Sequence, residues 1–143
     1  MFRKNPDTQG FTLIEILMVM IVLGILASIA IGAVRIYLDK AYKITIMHDL
    51  KGFVDAQENY FSGNGRYLGA AGDFIEGGPP LSGPLNVPEL GYKPSSGVRV
   101  KILSGDAQRP LDPPGFKAEA SHSRLKARYV YDFSTSQTTE KDE

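Results

Sequence analysis

The chain has 143 residues, about the length of one domain. Its 16 Lys and Arg residues balance its 16 Asp and Glu residues, so the overall charge predicts no nucleic-acid partner. Cysteine is absent, which excludes disulfides, thiolate zinc sites and cysteine nucleophiles from these residues. Two histidines, His48 and His122, are too few for a histidine-rich metal site, and the sequence predicts no metal and no cofactor.

The first element in chain order is an apolar segment, residues 11–34, in which Glu15 is the one ionisable side chain. As a helix, these roughly 24 residues would span about 36 Å, more than the roughly 30 Å hydrocarbon core of a bilayer. The length therefore predicts a transmembrane helix. A cleaved secretory signal is the alternative interpretation, because the sequence ASIA at residues 27–30 is similar to a small-residue cleavage site. Basic residues flank both ends, so they do not fix the orientation.

The pattern becomes amphipathic in residues 35–62, which contain no proline. One half of the helical wheel carries the apolar side chains Leu38, Tyr42, Ile46, Leu50, Phe53, Val54, Tyr60 and Phe61. The opposite half carries Lys51, Asp55, Glu58 and Asn59. We predict one helix from about Phe11 to Phe61, capped by the glycines of the sequence SGNG at residues 62–65. A helix of roughly 75 Å needs a membrane at one end and partners along its length.

Residues 63–143 differ in composition from the helical segment before them. Glycine and proline crowd residues 63–96, which we interpret as a long loop with turns. Residues 97–136 contain three runs typical of strands: Val98–Leu103, Phe116–His122 and Arg128–Phe133. We expect a three-stranded antiparallel sheet packed on the apolar face of the helix, which makes the fold class α+β. The tail, residues 137–143, is polar and predicted to be frayed.

The sequence QGFTLIE at residues 9–15, followed by an apolar and then an amphipathic helix, resembles the class III signal of type IV pilins and type II secretion pseudopilins. The sequence AQENYFSGNGRY at residues 56–67 is similar to the end of the long pilin helix. The resemblance is specific over roughly the first third of the chain, and beyond it only the architecture matches. Many pilins carry a proline in the apolar half, where this chain has Gly32, which weakens a helix by about 1 kcal/mol but keeps its hydrogen bond.

The resemblance implies a leader of residues 1–10, cut by a prepilin peptidase between Gly10 and Phe11, and methylation of the new amino terminus of Phe11. It implies that Glu15 pairs with the Phe11 amine of a neighbouring subunit and so drives assembly. The implied partners are identical or related pilins, the prepilin peptidase and methyltransferase, and an inner-membrane assembly platform. The subunit would cross the inner membrane once before assembly, and would lie in an extracellular pilus or a periplasmic pseudopilus afterwards.

Three functional interpretations remain. The first is a subunit of a type IV pilus-like filament, with a pseudopilin of a type II secretion system as the alternative within that class. The second is a single-pass, membrane-tethered binding domain that does not polymerise, in which Glu15 is an acid tolerated near the headgroups. The third is a secreted domain freed from a cleaved signal.

No enzyme is predicted. Ser121, His122 and Ser123 lack an acid at a recognisable spacing for nucleophilic catalysis. Asp106 and Asp112 match no oxygen cage for calcium, and we interpret them as solvated loop acids.

Overall fold

The computed structural model describes residues 10–85, 87–105 and 114–141. The chain divides into two compact units, one ending at Leu38 and the other beginning at Asp39. The elements in chain order are α1 (Leu13–Asn64), β1 (Phe74–Glu76), α2 (Val87–Leu90), β2 (Val98–Ser104), β3 (Lys117–His122), β4 (Arg128–Asp132) and β5 (Gln137–Lys141). The predicted α+β fold class, a long N-terminal helix with a small antiparallel sheet, is confirmed.

The amino-terminal part of α1 exposes its apolar side chains. From Gly10 to Leu38 every residue is exposed within its unit, including Leu13 at 83% and Ile29 at 69%. By length and composition alone, α1 is the one helix in the described ranges that is long and apolar enough to cross a membrane. A signal sequence near the amino terminus meets the same criterion.

The carboxyl-terminal part of α1 buries one face in the second unit. The buried residues are Ile46, Asp49, Leu50, Phe53, Gln57 and Tyr60. They recur every three or four residues, as expected for a helix with one side against a core. The prediction that Leu38 belongs to this face is wrong: Leu38 is 46% exposed, because the buried face begins only at Ile46.

The predicted glycine cap of α1 is confirmed. Gly65 follows the last helical residue with a φ of 68°. Its amide nitrogen donates to the Phe61 carbonyl oxygen at 2.8 Å. Glycine adopts this left-handed conformation without the steric cost that a Cβ would add, so the chain turns away from the helix axis here.

The five strands form one antiparallel sheet in the order β1-β2-β3-β4-β5. Buried and less buried residues alternate along β2 and β3, because successive side chains of a strand point to opposite faces. The buried side chains of the sheet join those of α1 in one core, and the predicted contact of Tyr129 and Tyr131 with that core is confirmed. The side chains that contribute from β2 to β4 are Val98, Val100, Ile102, Ala118, Ala120 and Tyr129.

The sheet has two strands more than the three predicted. The strand β1 lies within residues 63–96, interpreted as loop, and pairs with β2, with Ile75 opposite Val100. It has only three residues, too few for the alternating pattern to be recognised in sequence. The strand β5 lies in the tail predicted to be frayed, and all five of its residues are exposed. A polar edge strand has no alternation of apolar and polar residues, so its sequence does not indicate a strand.

Several hydrogen bonds attach the segments that follow α1 to the helix. The buried amide of Gln57 donates to the Leu68 carbonyl oxygen at 2.7 Å and accepts from the Leu68 amide nitrogen at 2.9 Å. The buried carboxylate of Asp49 accepts from the Ser95 amide nitrogen at 2.7 Å. Because buried polar groups are costly unless paired, these bonds fix where the Gly- and Pro-rich segment lies on α1.

Tyr92 strengthens the same attachment. Its hydroxyl donates to the Asp49 carbonyl oxygen at 2.8 Å, and its ring meets that of Phe53 edge-on at 5.5 Å. Burial, with a smaller contribution from the charge of Asp49, raises the pKa of Tyr92. The hydroxyl therefore stays protonated and able to donate throughout the physiological pH range.

Candidate functional site

The sequence-predicted site residues, Gly10, Phe11 and Glu15, lie at the amino-terminal end of α1. The helix begins at Leu13, and the Thr12 carbonyl oxygen accepts from the amide nitrogens of Glu15 at 3.1 Å and Ile16 at 3.3 Å. These bonds start the helix directly behind Phe11. One helical turn therefore separates the predicted cleavage point from the carboxylate.

Glu15 is held by a capping box with Thr12. The Thr12 amide nitrogen and hydroxyl both donate to Glu15 Oε2, each at 2.9 Å. In return, the Glu15 amide nitrogen donates to Thr12 Oγ1 at 3.3 Å. Such reciprocal bonds satisfy amide groups that the first helical turn leaves without partners, and the positive end of the helix dipole favours a carboxylate there.

Sequence reasoning missed Thr12. The signal was present, because a threonine three residues before a glutamate at the start of an apolar run is the pattern of a capping box. The sequence-based interpretation assigns Glu15 only a charge in the membrane and an intermolecular partner. The structure adds a local partner within the same chain.

The residues on either side of the predicted cut are open to solvent. Phe11 is 82% exposed, and apart from the adjacent residues no heavy atom of the described residues lies within 4 Å of the position where a Cβ of Gly10 would be. The rest of the predicted leader, residues 1–9, lies outside the described residues. The cut itself, the methylation of Phe11 and the pairing of Glu15 with an amine stay predictions.

The two bonds from Thr12 leave part of the Glu15 carboxylate unused. Both end on Oε2, and Oε1 has no hydrogen-bond partner among the described residues. An ionised carboxylate has about four acceptor positions on its two oxygens. Glu15 can therefore keep its cap and still accept a bond from an ammonium group of another chain.

His122 is engaged in packing. Its side chain is buried, its Nδ1 accepts from the Arg124 amide nitrogen at 3.1 Å, and its ring stacks on Tyr42 with 4.3 Å between centroids. Burial and the charge of Arg124 lower its pKa, against smaller opposing effects of Asp49 and the Ser96 backbone. These contacts give the imidazole a structural role.

Metal binding has no geometric support in the parts of the chain that the structure describes. No group of three or more His, Asp or Glu side chains there is placed to hold a metal ion. Asp106 and Asp112, considered for calcium, lie outside the described residues.

Comparisons with known proteins find similarity in a segment that includes the N-terminal end of α1. The family model described as "Prokaryotic N-terminal methylation motif" matches residues 6–31. The chain is 32% identical over 110 residues to "Type IV major pilin protein PilA" of Myxococcus xanthus, covering 74% of this chain and 43% of that protein. It is 36% identical over 64 residues to "Type II secretion system core protein G" of Klebsiella michiganensis, covering 45% of each.

The matched segments thus span less than half the length of these two relatives. No solved structure matches the chain significantly.

Proposed function

We propose that this chain, which belongs to the family of type IV pilins and type II secretion pseudopilins, is a filament subunit that polymerises through its N-terminal helix. The observation that carries the proposal is the position of Glu15: a capped carboxylate at the start of an exposed apolar helix, one turn from Phe11. The family assignment and the relatives named as a pilin and a secretion-system protein support it.

Processing is the first step of the proposed function. A prepilin peptidase would cut between Gly10 and Phe11, where the absence of a Cβ and the open surroundings of Gly10 permit close approach to the backbone. The cut creates an α-amino group on Phe11, which the same enzyme would methylate. The new ammonium group would be the one positive charge near the carboxylate of Glu15 at the apolar end of the subunit.

Membrane insertion makes the charge of Glu15 costly. On insertion scales a charged side chain at the centre of a transmembrane helix costs about 2.5–3.5 kcal/mol, and less near the ends. The bonds from Thr12 offset part of this cost in the single subunit. The remaining cost favours any arrangement that brings a cation to Glu15 away from water.

Assembly would provide that cation. The exposed apolar side chains of residues 13–34 need covering, and helices of neighbouring subunits can cover them in a filament. Glu15 Oε1, which neither bond from Thr12 uses, would then accept from the Phe11 ammonium group of the neighbour. Because an unpaired charge in low dielectric is strongly disfavoured, this pair would fix the register between adjacent helices.

Between the two filament classes we favour the pilus. The similarity to the major pilin extends over 74% of the chain, and that to the secretion protein over 45%. The subunit would therefore cross the inner membrane once before assembly and lie in a surface filament afterwards. Neither relative is named as an enzyme, which supports a structural role.

The test compares processing with assembly. Glu15→Leu makes the helix more apolar, so the subunit should still insert and lose residues 1–10, as measured by the intact mass of the membrane-extracted protein. Its yield of sheared filaments, relative to the mature subunit in membranes, should fall at least about tenfold, the effect of losing one charge-assisted bond. Glu15→Asp shortens the reach by one methylene and should give an intermediate yield.

Gly10→Val should retain the leader, which serves as the control for processing. A normal filament yield from processed Glu15→Leu protein would contradict the assembly mechanism. A wild-type protein that keeps residues 1–10 would contradict the processing step.

A further inference from the structure

The second unit carries a concentration of positive charge that the neutral overall composition conceals. On the face of the sheet opposite the core, a cleft of about 400 Å³ is lined by basic side chains from β2, β4 and the β3–β4 turn. We call this the outer cleft. Its lining residues are Arg99, Lys101, Glu119, Ser121, Lys126 and Arg128, together with His122 and Leu125.

The strand register builds the outer cleft. Arg99 of β2 lies opposite Ser121 of β3, and Ser121 lies opposite Arg128 of β4. Lys101 lies opposite Glu119 in the next row. Because neighbouring strands are about 4.8 Å apart, the two arginines stand roughly 10 Å from each other with a hydroxyl between them.

The charges in the outer cleft are only partly balanced. Arg99 pairs with Glu76 beside the cleft and lies over the Phe74 ring at 4.8 Å. Arg128 lies 3.7 Å from Glu119. Among the residues that the structure describes, no ion-pair partner is present for Lys101 or Lys126, both of which are exposed.

We propose that the outer cleft binds an acidic saccharide, a glycan whose sugar units carry carboxylates. The ammonium groups of Lys101 and Lys126 would pair with the carboxylates, since their charge has no partner within the described part of the protein. The carboxylate of Glu119 would accept hydrogen bonds from sugar hydroxyls. The hydroxyl of Ser121 can both donate to them and accept from them.

The acid in the middle of the outer cleft distinguishes this ligand from a nucleic acid. A DNA phosphodiester backbone has only acceptors, so it offers the Glu119 carboxylate no donor, whereas the hydroxyls of a saccharide can donate to it. A saccharide with both carboxylates and hydroxyls uses the basic and the acidic side chains together. The outer cleft lies wholly within the second unit, so this inference does not depend on filament assembly.

The experiment uses the full chain in nonionic detergent micelles at physiological salt. Binding of alginate oligosaccharides, which consist of uronic acids, is measured by isothermal titration calorimetry. Neutral dextran oligosaccharides and a short DNA duplex are the comparison ligands. We expect binding of alginate, none of dextran, and weaker binding of DNA than of alginate.

Two sets of variants locate the site. Lys101→Ala with Lys126→Ala should weaken alginate binding at least about tenfold, because two charge-assisted contacts are lost. The matched control, Lys51→Ala with Lys93→Ala, removes the same charge from exposed positions outside the outer cleft and should leave binding unchanged.

Glu119→Gln separates specific from purely electrostatic binding. It makes the cleft more positive, so nonspecific attraction of a polyanion would increase. If Glu119 accepts from sugar hydroxyls, alginate binding should instead weaken. Stronger alginate binding by Glu119→Gln, equal losses in both double variants, DNA bound more tightly than alginate, or no alginate binding would each overturn the proposal.

Discussion

At the scale of single residues, the Glu15 carboxylate has one kind of partner in the structure and a second kind in the proposed filament. Thr12 binds Glu15 Oε2 within the chain, and Oε1, which has no hydrogen-bond partner among the described residues, would bind the second chain. The two partners do not compete for the same oxygen. We therefore expect Thr12 to hold Glu15 in a conformation that suits the intermolecular pair, which makes Thr12 a positioning residue.

Thr12→Val tests this role. Valine has a similar shape but no hydroxyl, so Glu15 keeps the bond from the backbone amide and loses the other. Loss of such a cap typically costs about 1 kcal/mol. We expect normal removal of residues 1–10 and a filament yield between those of wild type and Glu15→Leu, measured in sheared material.

Thr12→Ser restores a hydroxyl and should recover most of the yield. If Thr12→Val were processed and assembled as well as wild type, the capping box would have no part in assembly.

At the scale of elements, α1 changes its surroundings along its length. Its residues up to Leu38 are exposed, whereas from Ile46 to Tyr60 one face is buried in the core. The buried face is centred on Phe53, which is fully buried between Tyr92 and the ring of Phe116, 6.1 Å away. This contact attaches the helix both to the sheet and to the Gly- and Pro-rich segment.

Phe53→Ala should destabilise the second unit. Removing a buried phenylalanine ring typically costs 3–5 kcal/mol, from lost burial and from the cavity left behind. The measurement is urea unfolding of the full chain in nonionic detergent, followed by tyrosine near-ultraviolet circular dichroism, since the chain lacks tryptophan.

Ile44→Ala is the matched control on the same helix. Ile44 is 68% exposed, so its truncation should change the free energy of unfolding by less than about 0.5 kcal/mol. Equal unfolding midpoints for Phe53→Ala and wild type would mean that the assigned core face is wrong.

At the scale of the whole molecule, the zero net charge does not show how unevenly the charged and titratable side chains are distributed. The net charge is zero, yet the outer cleft collects basic side chains and the core contains titratable His122. The groups around His122 are Tyr42, Arg124 and Asp49. Of these, Arg124 opposes protonation of the imidazole and Asp49 favours it, and burial is the largest effect.

The depressed pKa of His122 predicts a loss of stability in mild acid. The unfolded chain binds a proton near pH 6.5 and the folded chain binds it only at lower pH, so folding is opposed as pH falls. The stability contribution is complete above about pH 6.5 and is lost progressively down to the folded-state pKa. The melting temperature of the full chain should therefore decrease between pH 7 and pH 5.

His122→Gln should abolish most of this dependence, although it lowers stability at every pH. The control His48→Gln should keep it, because the His48 side chain is 85% exposed. The pKa values of Asp132 and Glu140 are lowered, by hydrogen bonds from Lys117 and Lys43 respectively, so both carboxyls titrate below this range. A melting temperature independent of pH between 7 and 5 in wild type would contradict the assignment to His122.

The sequence by itself determined the features that depend on neighbouring residues along the chain. The length of the apolar run, the amphipathic spacing from Ile46 to Tyr60 and the glycine after Asn64 are local properties, and they predicted the helix and its end. The candidate site at Gly10, Phe11 and Glu15 is predicted from the resemblance of the local sequence QGFTLIE to a class III signal, and its roles stay predictions. Thr12 lies only three residues from Glu15, so it too was readable from the sequence.

Only the tertiary structure decided the features that depend on contacts between distant segments. The short strand β1 forms because it pairs with β2, and the polar strand β5 forms because it pairs with β4. Neither sequence by itself indicates a strand. The attachment of Ser95 to Asp49 and of His122 to Tyr42 joins residues far apart in sequence. The outer cleft likewise arises from strand register, which places Arg99, Ser121 and Arg128 in one row. Register decides which residues are neighbours and which face of the sheet their side chains occupy, and it is set by hydrogen bonds between strands that are distant in sequence.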